Sequence, residues 1–129
     1  MHPHMSTPIR QPRVYAPGAD VTAQATAAIT ARRLVFISAN RASGGNLSVA
    51  HAPAGGRVFG VAVDDATVGD LVGVARDGVL RVTAGAAITA GAEVEVGAAG
   101  KAITKNTGTA IGYAVTNAVT DGIAEIALY

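Results

Sequence analysis

Short apolar blocks recur roughly every ten residues along this chain, with Gly- and Asp-containing turns between them, the pattern of an all-β sandwich or barrel. Glu93-Val94-Glu95-Val96 alternates with period two, as a half-buried strand does. Leu34-Val35-Phe36-Ile37 is apolar throughout, which predicts cover on both faces. Residues 58–63 read as a strand, Asp64-Asp65-Ala66 as a turn, and Asp70-Leu71-Val72-Gly73-Val74 as the start of the next strand. Asp77-Gly78, between Val74-Ala75-Arg76 and Val79-Leu80-Arg81-Val82, is a two-residue hairpin signal. The stretches 111–115 and 123–128 read as the last two strands. Between residues 38 and 56 the chain is Gly-rich, and Leu47-Ser48-Val49 is its one apolar spot, read as a hairpin strand.

The pattern repeats. The stretch from Phe59 to Val74, which opens Phe59-Gly60-Val61-Ala62-Val63, returns 52 residues later in a stretch that opens Ile111-Gly112-Tyr113-Ala114-Val115. Gly60 falls on Gly112, Leu71 on Ile123 and Val74 on Ile126. The Ala-rich segment 21–31 has its own echo at 82–90. That echo carries Gly85 and is followed by Gly91, so turn and strand are preferred to helix for both copies. The result is two related halves, about 21–81 and 82–129, within one β domain, each with about four short strands. A turn-into-strand pattern is shared by Val68-Gly69-Asp70-Leu71, Ala90-Gly91-Ala92-Glu93 and Ala31-Arg32-Arg33-Leu34. Arg32 stands where the others have Gly, which predicts a different turn there.

Composition then changes the picture of the core and surface. With 28 Ala, 16 Gly, two Phe and no Trp, the core must be built from small residues. The charged fraction is 15%, below the usual ~25%. Flat, weakly charged, apolar surfaces have partners, so an oligomer, or a protein seated on something larger, is expected. Net charge is +1, against generic attraction to nucleic acid or membrane. There are no cysteines, no apolar leader at the N-terminus and no run of apolar residues long enough to span a bilayer. A soluble chain made in the cytoplasm is expected. Residues 1–20 hold Pro3, Pro8, Pro12 and Pro17 and are read as an extended N-terminal arm, with Ile9, Val14 and Tyr15 as apolar anchors and Arg10 and Arg13 as charges. Arg32 and Arg33 are read as a charged turn or a salt-bridging contact with a partner; together with the arm residues they form the expected contact set.

Chemistry-bearing residues are sparse. Asp64, Asp65 and Asp70 lack the ordered ligand spacing of a cation loop and are read as turn formers. Ser48, His51 and Asp64 or Asp65 would have to converge to act as a triad, and no nucleophile elbow accompanies them. His2 and His4 on a terminus hold no fixed metal geometry. Gly44-Gly45-Asn46 and Gly55-Gly56 lack the lysine and helix of a phosphate cradle. No catalytic, metal or cofactor site is expected.

The residues 59–62 leading into 66–74, then Gly78-Val79, Ala87-Ile88-Thr89-Ala90-Gly91-Ala92-Glu93-Val94, Gly100-Lys101-Ala102 and Ile111-Gly112-Tyr113-Ala114, resemble the phage capsid cement, or head decoration, family. The resemblance covers about 28–129; the long 38–56 connection and Arg32-Arg33 depart from its compact pattern. It implies a small β protein on the outer surface of an icosahedral virion, a homotrimer that clamps neighbouring major capsid protein subunits and carries out no catalysis. A free-standing β module that binds glycans is the rival reading. It needs exposed aromatics, for which Tyr15, Tyr113 and Tyr129 are the candidates.

Overall fold

The computed structural model describes residue 12 and residues 14–129. The chain forms ten strands: β1 (Val21–Ala25), β2 (Leu34–Ala39), β3 (Leu47–His51), β4 (Gly60–Ala62), β5 (Leu71–Ala75), β6 (Val79–Thr83), β7 (Glu93–Val96), β8 (Ala102–Thr104), β9 (Gly112–Ala114) and β10 (Ile123–Leu128). The first five close into a barrel in the order β1-β3-β2-β4-β5, and the last five form a second sheet in the order β6-β10-β9-β7-β8.

Both halves use one topology. β1 pairs antiparallel with β5 and parallel with β3. Its counterpart β6 pairs antiparallel with β10 and touches β8 through a single parallel bridge, Ala84 to Ala102. The mainly β fold is thus realised as two barrels, the second closed by that one bridge, with five strands in each half where the sequence pattern marks about four. Barrel diameter falls with strand number, so a five-stranded barrel has room only for small side chains. Hence Ala23, Ala25, Val35, Val49, Ala62, Val72 and Val74 fill the first, and the high Ala and Val content has a geometric cause.

The double cover expected for Leu34 to Ile37 holds for Leu34 and Val35 only; Phe36 is half-buried and Ile37 is exposed, because the second barrel packs against the start of β2 and not its end. Val35 points into the first barrel and Leu34 into the cluster of the second, each fully buried. Val61 and Ala62 divide in the same way. The two barrels therefore share a continuous apolar junction, to which Thr83 N–H adds a bond to Arg32 O (2.9 Å) and Gly55 N–H one to Val96 O (2.8 Å).

Two expectations fail. Asp77-Gly78 does not turn a hairpin: β5 is already paired on both edges, by β1 and β4, so no edge is left for β6, which pairs with β10. Asp77 instead accepts a hydrogen bond from Gly18 N–H (2.7 Å), and Gly78 (φ 92°) redirects the chain into the second barrel. Nor does Arg32 depart from the other turns. It takes φ 59°, in the left-handed region with Gly69 (φ 90°) and Gly91 (φ 88°), and a fourth member, Asp121 (φ 63°), joins them. Each donates its N–H across to a strand-end alanine carbonyl: Arg32 to Ala62, Gly69 to Ala25, Gly91 to Ala114 and Asp121 to Ala84.

Candidate interaction surface

Most of the exposed large apolar residues of the second sheet gather on one face, while Val119, 71% exposed, lies in the connection before β10. Register aligns Val79, Ala127, Tyr113 and Glu93 as a row across β6, β10, β9 and β7. The next row holds Arg81 and Glu125, with Val115 beside them through its N–H bond to Glu125 O (2.9 Å), and Thr83 opposite Ile123 makes the third. Alternate residues Val82, Ala124, Ile126, Ala114 and Val94 fill the barrel, so the odd-numbered set must face out. Val79, Tyr113, Val115 and Ile123 are all exposed there. Tyr113 and Tyr129 lie with ring centroids 6.2 Å apart at 41°, and Tyr129 Oη donates to Glu93 Oε2 at 2.5 Å, which raises the phenol's pKa. A groove of about 490 Å³ runs along the barrel junction between Arg32, Val63, Arg81 and Glu125.

Of the expected contact residues, Ile9, Arg10 and Arg13 lie outside the described residues. Val14 is exposed, and Tyr15 is half-exposed, with its hydroxyl accepting from Arg41 Nη1 (3.4 Å). The arm's inner end is held to the first barrel by the Gly18–Asp77 bond. Arg32 is exposed at the junction groove. Arg33 spans the barrels, donating from Nη1 to Ala99 O (3.0 Å), while its buried Nε has no partner. Residue pattern alone did not single out the row Arg81–Glu125–Val115. Its signal was present in 123–128, where apolar residues occupy both faces of the strand although one face must look outward.

Polar side chains that looked like candidate chemistry hold backbone instead. Ser48 Oγ donates to Asn40 O (2.8 Å), His51 Nε2 accepts from Thr30 N–H (2.9 Å) and Asp65 Oδ1 accepts from Ala31 N–H (2.7 Å). His51 and Asp65 are thus brought to adjacent residues of one loop, while Ser48 is tied elsewhere. Partial burial, and then the Arg33 cation, push the His51 imidazole below its ordinary pKa. Asp70 accepts from Thr67 N–H (3.0 Å) and Oγ1 (2.9 Å), which lowers its carboxyl pKa. Buried Glu95 accepts from Asn106 N–H and Gly108 N–H, and these bonds hold its carboxyl pKa down too. No group of three or more metal-ligating side chains is assembled among the described residues.

Small-residue barrels with several polar side chains tied to the backbone and exposed apolar residues on an outer sheet face fit a protein that works through its surface. Residues 15–128 match the model of the phage cement protein family, so the chain belongs to that family. Among solved structures it is similar to the N base of the head fiber gp8.5 of bacteriophage phi29. The identity is 27% and the TM-score 0.74, with 86% of this chain and 93% of that chain covered. No curated protein matches it. Its role is that of a structural, capsid-associated component of a phage virion.

Proposed function

We propose that the chain decorates the outside of an icosahedral head as a trimer and reinforces the contacts between major capsid protein subunits. The match to the cement family over nearly the whole domain carries this reading. The weakly charged surface and its exposed apolar face agree with it, since such surfaces mark partner contacts. In this reading the arm around Ile9, Arg10, Arg13, Val14 and Tyr15 lies along a capsid subunit, with Arg32 and Arg33 at the second contact. Many identical weak sites on a lattice then hold by avidity.

Deleting residues 1–13 tests the arm and spares the Gly18–Asp77 bond that fixes its inner end. The truncated protein should keep its β circular dichroism and melt like the full chain, yet co-sediment less with expanded phage heads. Undiminished co-sedimentation would remove Ile9, Arg10 and Arg13 from the mechanism. If the full chain itself fails to co-sediment, the decoration reading falls.

A glycan-binding role rests on Tyr113 and Tyr129, two of the chain's three tyrosines, which meet on the outer face. Their rings are tilted and the Tyr129 hydroxyl is committed to Glu93, so they do not form a flat stacking platform. A glycan screen with Tyr129→Ala as control decides that reading.

A further inference from the structure

The internal duplication supplies a comparison that a single barrel could not. In the first barrel, Leu34, Val61 and Ala75 form one row across β2, β4 and β5. In the second, Glu93, Tyr113 and Ala127 form the equivalent row across β7, β9 and β10. The first row is where one barrel receives another: Leu34 and Val61 are 0% and 4% exposed, inside the apolar cluster of the second barrel. The second row has no such cover. Tyr113 is 42% exposed, and Val79 beyond it is 54% exposed. The fold thus uses this row once for barrel–barrel packing and leaves its duplicate open, while the flanking positions are exposed in both barrels, Val63 and Leu71 in the first and Val115 and Ile123 in the second.

The open face also carries its own charge complement. Arg81 and Glu125 are direct partners across the β6–β10 ladder, yet they form no ion pair; Lys101–Asp121 (2.8 Å) is the one salt bridge among the described residues. Arg81 and Glu125 stand side by side amid Val79, Tyr113, Val115 and Ile123, with Arg32 in the groove beside them and Glu93 in the next row, so the face carries both signs of charge. A partner of one charge sign would leave one of the two unmatched. Around a three-fold axis, Arg81 of each copy meets Glu125 of the next, and a closed ring of copies satisfies both.

We infer that the outer face of the β6–β10–β9–β7 sheet is the contact between copies of this chain, with Arg81 of one copy meeting Glu125 of the next. This deepens the trimer reading proposed above and rests on it.

Size-exclusion chromatography with light scattering on the full chain tests it, with circular dichroism to check the fold of each variant. The wild type should run as a multiple of its 12.8 kDa chain. Arg81→Glu and Glu125→Arg should each raise the dissociation constant by on the order of tenfold or more. The double reversal Arg81→Glu/Glu125→Arg should restore assembly, which mere damage to a monomer would not do. Val115→Asp should dissociate the assembly without rescue. If the single reversals and Val115→Asp all keep the wild-type mass, the face is not the contact. Unchanged mass with weakened head binding would instead assign it to the capsid and overturn the inference. A wild type that is monomeric at every concentration overturns both this inference and the trimer. Co-sedimentation with heads, measured separately, judges the decoration role on its own.

Discussion

Gly60 and Gly112 stand 52 residues apart and face the same obstacle. A Cβ on Gly60 would run into the Ala75 carbonyl, and one on Gly112 into the Ala127 carbonyl. Both glycines are therefore required by close backbone approach within a narrow barrel. Gly112→Ala should destabilise by about 2–3 kcal/mol, read by urea denaturation, because backbone cannot yield as a side-chain end can. Gly69→Ala should cost less, about 1 kcal/mol: the space around it is open, and only its left-handed φ opposes a side chain. Arg32 and Asp121 show that a non-glycine can hold that conformation when its N–H is bonded across to the partner loop.

At the scale of elements, one crossover is used four times, over 26–33, 63–70, 85–92 and 115–122. The four interlock in pairs. Ile29 and Ala66 exchange both backbone hydrogen bonds, and so do Ile88 and Ala118. A side chain then seals each pair: Asp65 Oδ1 accepts from Ala31 N–H (2.7 Å), and Asn117 Oδ1 accepts from Ala90 N–H (2.8 Å). Asn117→Ala should lower stability by about 1 kcal/mol, the net worth of an ordinary hydrogen bond. Asp65→Asn, which keeps the acceptor, should be close to neutral, and thermal melts of the two variants side by side check both. The 52-residue echo in sequence exposes half of this arrangement. The relation between 26–33 and 63–70 shows in the sequence only where each runs into its strand, at Ala31-Arg32-Arg33-Leu34 and Val68-Gly69-Asp70-Leu71; the rest is carried by backbone geometry with few shared residues.

For the whole molecule, His51 and the carboxylates make stability fall as pH is lowered. His51 has a lowered folded pKa, so the unfolded chain takes up its proton first as pH falls. Stability should therefore begin to drop below about pH 6.5, the ordinary imidazole value. Asp70, Glu95 and Asp121 are also depressed, Asp121 through its bond to Lys101, and their contribution should be lost below about pH 4.5. Melting temperature against pH should thus fall in two stages, and His51→Gln should erase the upper one. Glu95 gives the lower stage a structural meaning. It holds Asn106 and Gly108, and Gly108 packs against Gly55 of the first half, so protonation loosens a tie between the barrels.

The sequence by itself determined that the chain is all β, duplicated and built around small residues, because turn chemistry, period-two alternation and the glycine spacing are local or nearly so. It also marked the apolar run from Leu34 to Ile37 as doubly covered, which the fold bears out for Leu34 and Val35 and not for Ile37. Only the tertiary structure decided that Asp77-Gly78 joins two barrels instead of turning a hairpin, because that depends on which strand edges are already taken. Only it could show which of two equivalent rows is buried and which is left open: Val61 and Tyr113 hold the same place in the pattern, and the packing of one barrel against the other separates them.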